Sequence, residues 1–263
     1  MNFIISASTD VGITKDTNED SVFIRRIKMP SGEAVLGVVC DGVGGLNCGE
    51  IASGSVVVAM DVWFREEFPT IYLGGMKERV LFQSWLELVQ RMNIKIGNFG
   101  KRNGVRLGTT LVAFLIVDDI YYIVNVGDSR VYELTDHVNV LTHDQTLVYR
   151  EVELGLLTQE EAQNDPRGNV ILQCIGESDR VLPEFLSGPA RLNAVYMACS
   201  DGFRHKITES EILLCIGPKN VTEYDFRSGM EHLIQLNINR NETDNISVIA
   251  ARTYAEVNGD GKY

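Results

Sequence analysis

The sequence predicts an α+β fold in which helices cover mainly antiparallel sheets. Three observations predict it: strand-like apolar runs come first, two long amphipathic helices follow, and a series of short runs joined by tight turns comes after them. That order is not the βαβα alternation of a doubly wound sheet. With 263 residues, 44% hydrophobic and 23% charged, the chain can bury a full core in one large domain. No apolar stretch approaches the roughly 18 residues that span a bilayer. The opening MNFIISASTD lacks a basic leader and a long apolar core, so no signal peptide is expected. The expected location is the cytoplasm, with no membrane partner.

Segments 3–8 and 21–27 read as strands. A turn at Pro30-Ser31-Gly32 leads into 34–40, whose unbroken apolar run is that of a strand buried on both faces. It stops at Asp41-Gly42-Val43-Gly44-Gly45. Asn47 with Glu50 reads as a capping box that opens a helix to about Glu67, with Val56, Ala59, Met60 and Trp63 on one face and Pro69 beyond its end. A second helix is expected over 76–98, because Leu81, Trp85, Leu88, Met92 and Ile96 share one face. The basic, polar stretch 97–106 reads as a linker. Strands at 108–117, 120–126 and 130–135 form an antiparallel meander turned at Asp118-Asp119 and Gly127-Asp128-Ser129.

The segment 142–168 is polar and irregular, with a capping box at Thr158 and Glu161. An irregular stretch of that length inside a domain usually serves function, as a lid does. Strands are expected at 169–175 and 194–200. Thr208 with Glu211 and Thr222 with Asp225 open two further helices, the second carrying Phe226, Met230, Leu233 and Ile234 on one side. A last strand, 245–252, precedes a short polar tail at 254–263, so residues 1–253 are read as one domain.

There are 24 Lys and Arg against 36 Asp and Glu, a net charge of −12. This weighs against nucleic acid, which needs a basic face. It leaves room for a phosphorylated substrate, since a metal supplies positive charge locally. The five cysteines are odd in number, contain no C-x-x-C pair and sit mostly in apolar runs, as reduced buried thiols do.

Three Asp residues stand at strand termini: Asp41 after 35–40, Asp201 after 194–200, and Asp244 before 245–252. Glu19-Asp20 precedes the strand at 21. A single Asp-Gly pair is an ordinary turn signal. Several such carboxylates on one rim of a sheet would repel, and a divalent cation resolves that conflict. All-oxygen donors point to Mg²⁺ or Mn²⁺ rather than Zn²⁺.

Six motifs occur in order: Thr17-Asn18-Glu19-Asp20; Asp41-Gly42-Val43-Gly44-Gly45 with Gly49-Glu50; Gly108-Thr109-Thr110; Gly127-Asp128-Ser129-Arg130; Ser200-Asp201-Gly202; and Asp244-Asn245-Ile246-Ser247. The series resembles that of the metal-dependent protein phosphatases, the PPM or type 2C serine/threonine phosphatases, in their compact bacterial form. The resemblance spans residues 6–251. It implies a four-layer sandwich, two antiparallel β-sheets flanked by helix pairs, with 142–168 as a flap. By the same resemblance Asp41 bridges two Mn²⁺ or Mg²⁺ ions, Gly42 gives a carbonyl to one, and Asp201 and Asp244 bind the other. Glu19 and Asp20 hold metal-bound water, and Asp144 matches a ligand of a third, weaker ion. Asp41, Asp201 and Asp244 are then catalytic through a metal-activated water that attacks the phosphorus of phosphoserine or phosphothreonine. The partners implied are phosphorylated proteins and a cognate serine/threonine kinase, with the phosphatase a monomer.

Lys15 occupies the position where such proteins usually carry a phosphate-gripping Arg, keeping the charge but not the fork. This departure favours one rival reading, a weakly active or inactive module that binds phosphoproteins or a kinase. Intact acids at Asp41, Asp201 and Asp244 oppose it. A two-metal phosphodiesterase or nuclease is a second rival, opposed by the acidic charge and the absence of a His-rich set. Two further departures are Asp165-Pro166 for the usual His-Pro, and Gln173 or Cys174 for an Arg. His143 is read as a flap residue, and Asp128 with Arg130 as a buried structural pair. Lys101-Arg102 with Arg106 is read as a solvated loop. A P-loop is excluded, because no Gly-Lys-Ser/Thr follows the glycines.

Overall fold

Strand β3 (Gly32–Cys40) shows why the sequence builds four layers. Residues 34–40 are all buried. Leu36, Val38 and Cys40 pack with helical side chains such as Val56, Trp63 and Trp85. Val35 and Val39, on the other face, pack with strand residues Phe114, Val131, Tyr196 and Ile249. Alternate side chains of one strand thus enter two separate cores, and the apolar run needs no polar face.

The computed structural model describes residues 1–44 and 48–255. The N-terminal half begins with β1 (Asn2–Asp10), β2 (Ser21–Met29), β3 and β4 (Gly42–Gly44). Helices α1 (Gly49–Glu66), α2 (Phe68–Leu73) and α3 (Glu78–Asn103) follow. Next come β5 (Leu107–Thr109), β6 (Leu111–Val117), β7 (Ile120–Val126), β8 (Arg130–Leu134) and β9 (Val138–Val140). The C-terminal part holds α4 (Leu147–Glu153), α5 (Gln159–Gln163), β10 (Glu184–Pro189) and β11 (Val195–Cys199). It closes with α6 (Asp201–Arg204), α7 (Glu209–Ile216), α8 (Glu223–Asn239) and β12 (Ile246–Tyr254).

One sheet has the order β1-β12-β11-β8-β9, the other β10-β7-β6-β3-β2, and β4 pairs β5 apart from both. All pairings are antiparallel. The outer face of the first sheet packs on Ile212, Phe226, Met230 and Leu233 of α7 and α8. The second packs on α1 and α3, where Trp63 and Trp85 lie 5.4 Å apart. Removing either ring would cost about 3–5 kcal/mol. The four-layer sandwich is therefore present.

Several local expectations change. Asn47 lies outside the described residues. Helix α1 starts at Gly49 behind Cys48, and Cys48 makes no side-chain capping bond. The cap comes from 30 residues away: the Glu19 carboxylate accepts the Gly49 N–H at 3.0 Å, a favourable charge at a helix N-terminus. Pro69 lies beyond the end of α1, as expected, and sits in the first turn of a further short helix, α2, where a missing N–H costs nothing. The polar stretch 97–103 continues α3 until Gly104, whose φ of 67° ends it. Segment 169–175 is no strand. It makes isolated bridges, Ile171 to Thr146 and Ile175 to Thr109. The tail starts later than expected, since Tyr254 pairs with Asn2. Both complete capping boxes, at Thr158 and Thr208, form.

Candidate metal centre

Four loops meet at one end of the sandwich, and glycines let their backbones touch. A Cβ on Gly42 would lie 2.4 Å from Glu19 O, and one on Gly202 2.2 Å from Asn245 O. Gly12, with a φ of +76°, would place one 2.5 Å from Asp244 O. No side chain fits such approaches. Asn245 binds the first loop to the last: its amide accepts from Glu19 N at 2.9 Å and donates to Val11 O at 2.9 Å.

Asp41 is delivered by β3 and held by the Gly108-Thr109-Thr110 motif. The Asp41 N–H donates to Thr110 Oγ1 at 2.9 Å. Its carbonyl accepts from Thr110 N–H at 2.9 Å and Thr109 Oγ1 at 3.0 Å. Asp201 is the first residue of α6, where the helix dipole favours a carboxylate. Asp20 Oδ2 accepts from Ser200 Oγ at 2.9 Å.

A cavity of about 670 Å³ opens over these loops, lined by Lys15, Glu19, Asp41, Gly42, Asp128, Asp201 and Asp244. Gln173 and Cys174 face them from across it. Burial, then the charges of Asp20, Asp201, Asp128 and Asp244, push Asp41 well above the usual carboxylate range. Burial, against hydrogen bonds from Ser247 and Ser200 and with the charges of Asp201 and Asp244, puts Asp20 at about 7. Asp128 is also pushed up to about 7, by burial and then by Asp201. Asp201 is 7% exposed, and its Oδ1 has no hydrogen-bond partner.

Lys15 points into this group. Its ammonium is 2.8 Å from Asp244 Oδ1 and 3.8 Å from Glu19 Oε2. Burial alone would lower its pKa, but the hydrogen bond and charge of Asp244, with Glu19 and Asp41, hold it above the usual value. Lys15 is thus exposed over 37% of its side chain, yet its ammonium is engaged by Asp244.

Asp144 is placed differently from the other predicted residues. Arg130 binds both its oxygens, each at 2.7 Å, and Arg204 Nη2 stands 3.4 Å from Oδ2. It lines the next cavity, of about 710 Å³, beside Tyr149 and Arg150. The expected Asp128–Arg130 pair is thus an Asp144–Arg130 pair, and Asp128 lines the acidic cleft in its stead. His143 lies with Asp144 and pairs with Glu184. Arg106 is bound by Glu177 at 3.1 and 2.9 Å.

Among the described residues no three Asp, Glu, His or Cys side chains converge tightly enough to hold an ion as they stand. The donor set nonetheless fits a divalent cation: hard carboxylate oxygens, mutual repulsion, and an orphaned buried oxygen on Asp201.

Residues 13–242 match the family described as Protein phosphatase 2C. The chain belongs to that family. The phosphatase is 30% identical over 247 residues to protein phosphatase PhpP of Streptococcus pneumoniae, covering 93% of this chain and 95% of that one. A solved serine/threonine phosphatase of S. agalactiae is 27% identical, with a TM-score of 0.80 over 96% of this chain and all of that one. The catalytic domain of the serine threonine protein phosphatase PstP, solved with 2 manganese ions, is 27% identical, with a TM-score of 0.77 over 96% and 99%. The phosphatase is thus an enzyme of the protein serine/threonine phosphatase class, and the nuclease and inactive-module readings lose their ground.

Sequence reasoning missed His205 and Glu242, which flank Asp201 and Asp244. Glu242 sits in a polar run before β12 and His205 just after the four-residue α6, so neither carried a periodic signal.

Proposed function

We propose that this phosphatase removes phosphate from phosphoserine and phosphothreonine in proteins, using two Mn²⁺ or Mg²⁺ ions held by Asp41, the Gly42 carbonyl, Asp201 and Asp244. Glu19 and Asp20 hold water beside them. The observation that carries the reading is the acidic cleft itself, where the main charges on buried Asp20 and Asp41 are those of other carboxylates. Such ions, when bound, acidify water towards neutrality and neutralise phosphoryl oxygens.

The chain's own residues do the rest. Asp41, held at its N–H and carbonyl by Thr109 and Thr110, keeps its carboxylate fixed in the cleft. Lys15, whose ammonium stands 2.8 Å from Asp244 Oδ1, would grip a phosphate oxygen as a point charge. A third ion at Asp144 is not part of the proposal, because guanidinium groups already engage both oxygens. The segment 142–168 acts as a flap within a domain of residues 1–253. It is stiffened where Arg167 joins Glu151 and Asp165 at 2.7 Å each. The partner would be a cognate serine/threonine kinase, and the protein a cytoplasmic monomer. Among the described residues no helix is long and apolar enough to cross a membrane.

Turnover of para-nitrophenyl phosphate and of a phosphothreonine peptide, with Mn²⁺ and with EDTA, tests the reading. Activity on both is expected with Mn²⁺ and none with EDTA. Full activity in EDTA overturns it.

A further inference from the structure

Two side chains outside the motif series link the carboxylate of Asp201 to the backbone that delivers Asp244. Glu242 is 3% exposed. Its Oε1 accepts from the N–H groups of Thr243 at 2.8 Å and Asp244 at 3.0 Å, which fixes the turn that delivers Asp244. Its Oε2 is buried, has no hydrogen-bond partner, and stands 3.4 Å from His205 Nδ1. The other ring nitrogen, Nε2, stands 3.5 Å from Asp201 Oδ2. His205 follows α6 directly, one turn after Asp201, and its ring lies between the carboxylates of Asp201 and Glu242.

The backbone under this ring is rigid. Gly202 packs against Asn245 O too closely for any Cβ. Asn237 of α8 donates to Phe203 O at 2.8 Å, and Glu242 N–H donates to Asn237 O at 3.0 Å. One asparagine thus anchors both α6 and the 242–244 turn. The ring contacts are at ion-pair distance, longer than hydrogen bonds. An imidazole so placed has an N–H for at least one of the two carboxylates. With Oδ2 of Asp201 turned to the ring, the partnerless Oδ1 is the atom left for a cation.

We propose that Glu242 and His205 form a brace that sets the orientation and spacing of Asp201 and Asp244 for a shared divalent ion, which makes both of them positioning residues. The proposal rests on the reading that Asp201 and Asp244 hold that ion. Outer partners of this kind orient ligands, and their loss costs about 10–100-fold in metal affinity.

The test is Mn²⁺ titration of the metal-stripped full chain by calorimetry, with the electron paramagnetic resonance signal of bound Mn²⁺ as a second readout. His205→Ala should weaken Mn²⁺ binding by about 10–100-fold. His205→Gln, whose amide can still donate to Asp201, should recover most of that loss. Glu242→Gln keeps an oxygen for the Thr243 and Asp244 N–H groups, so it should fold and still weaken binding. Combined with His205→Ala it should bind no more weakly than the weaker single variant, because the two act as one unit. Equal Mn²⁺ affinity in parent and His205→Ala overturns the brace, whether or not thermal stability falls. Fully additive losses in the double variant overturn it as well. A parent that binds no Mn²⁺ overturns the functional reading, and the brace with it.

Discussion

Two neighbouring groups of acidic side chains are treated in opposite ways. Asp144 has both oxygens bound by Arg130 and a second guanidinium, Arg204, nearby. Asp20, Asp41 and Asp201 have hydroxyl, backbone or imidazole neighbours and one another, while the Lys15 ammonium stands at Asp244 and, farther off, Glu19. The first group is an internal ion pair that needs nothing more. The second carries spare negative charge in a partly desolvated cleft, a state that a small cation relieves. Acidic composition alone does not mark a metal centre. What marks it is the lack of paired guanidinium groups.

The sharpest break of this comparison exchanges charge for amide in each group. Asp41→Asn or Asp201→Asn should lower turnover of para-nitrophenyl phosphate by ~10²-fold or more, since each removes a charge that positions the metal. Wild-type rates in either variant would place the chemistry elsewhere. Asp144→Asn should instead cost about 2 kcal/mol of stability, by leaving a partly buried guanidinium underpaired, while Mn²⁺ affinity stays close to the parent's. Urea melts with and without Mn²⁺ read both quantities. A loss of Mn²⁺ binding in Asp144→Asn would restore the third-ion role that the Arg130 pair argues against.

A pH series on the metal-free protein sharpens the contrast. Asp20 and Asp128 are held at about 7 in the folded state, against about 3.9 in an unfolded chain. Between these values the folded state binds more protons. Their stabilising effect is therefore complete below about pH 4 and is lost as the pH rises through 7. The free energy of unfolding should fall across that window, by up to about 4 kcal/mol per group, with the melting temperature falling alongside it, and saturating Mn²⁺ should offset the fall. A flat profile would mean that these carboxylates titrate alike in the folded and the unfolded chain.

The smallest effect concerns the Lys15 ammonium in the cleft. Lys15→Arg should raise kcat/KM on a phosphopeptide by on the order of 1 kcal/mol, if a forked group adds a second hydrogen bond. Lys15→Ala should weaken inhibition by inorganic phosphate. It should also tighten Mn²⁺ binding, because Lys15 sits 2.8 Å from Asp244. Unchanged phosphate inhibition in Lys15→Ala would remove Lys15 from the substrate site.

The layers and the strand-end acids were legible because both follow from short-range signals. A strand such as β3, buried on both faces, must be apolar throughout, and an Asp-Gly after it ends the run. Short edge elements were not legible. β9 has three residues, and β10 contains Gly188 and Pro189, which read as loop. Segment 169–175 was misread because it makes only single bridges, at Ile171 and Ile175, and lends residues to the cleft lining rather than joining a ladder. Glu19 as the cap of α1, Arg130 as the partner of Asp144, and the His205–Glu242 contact all join residues distant in sequence. No local pattern encodes such pairs, because the fold alone decides which loops meet.

Strand β1 pairs with β12 over nine residues, from Asn2 with Tyr254 to Asp10 with Ile246. This has a kinetic consequence. Some 240 residues must be ordered or looped out before that ladder closes, and such non-local pairing makes folding slow. The second sheet, with β2, β3, β6, β7 and β10, is built wholly from residues 21–189 and can collapse on α1 and α3 first. Asp244 and Asn245 enter only as β12 docks. Asp244 therefore joins the other carboxylates only as the β1–β12 ladder closes. Refolding in Mn²⁺ should accelerate that last phase and leave the earlier collapse unchanged.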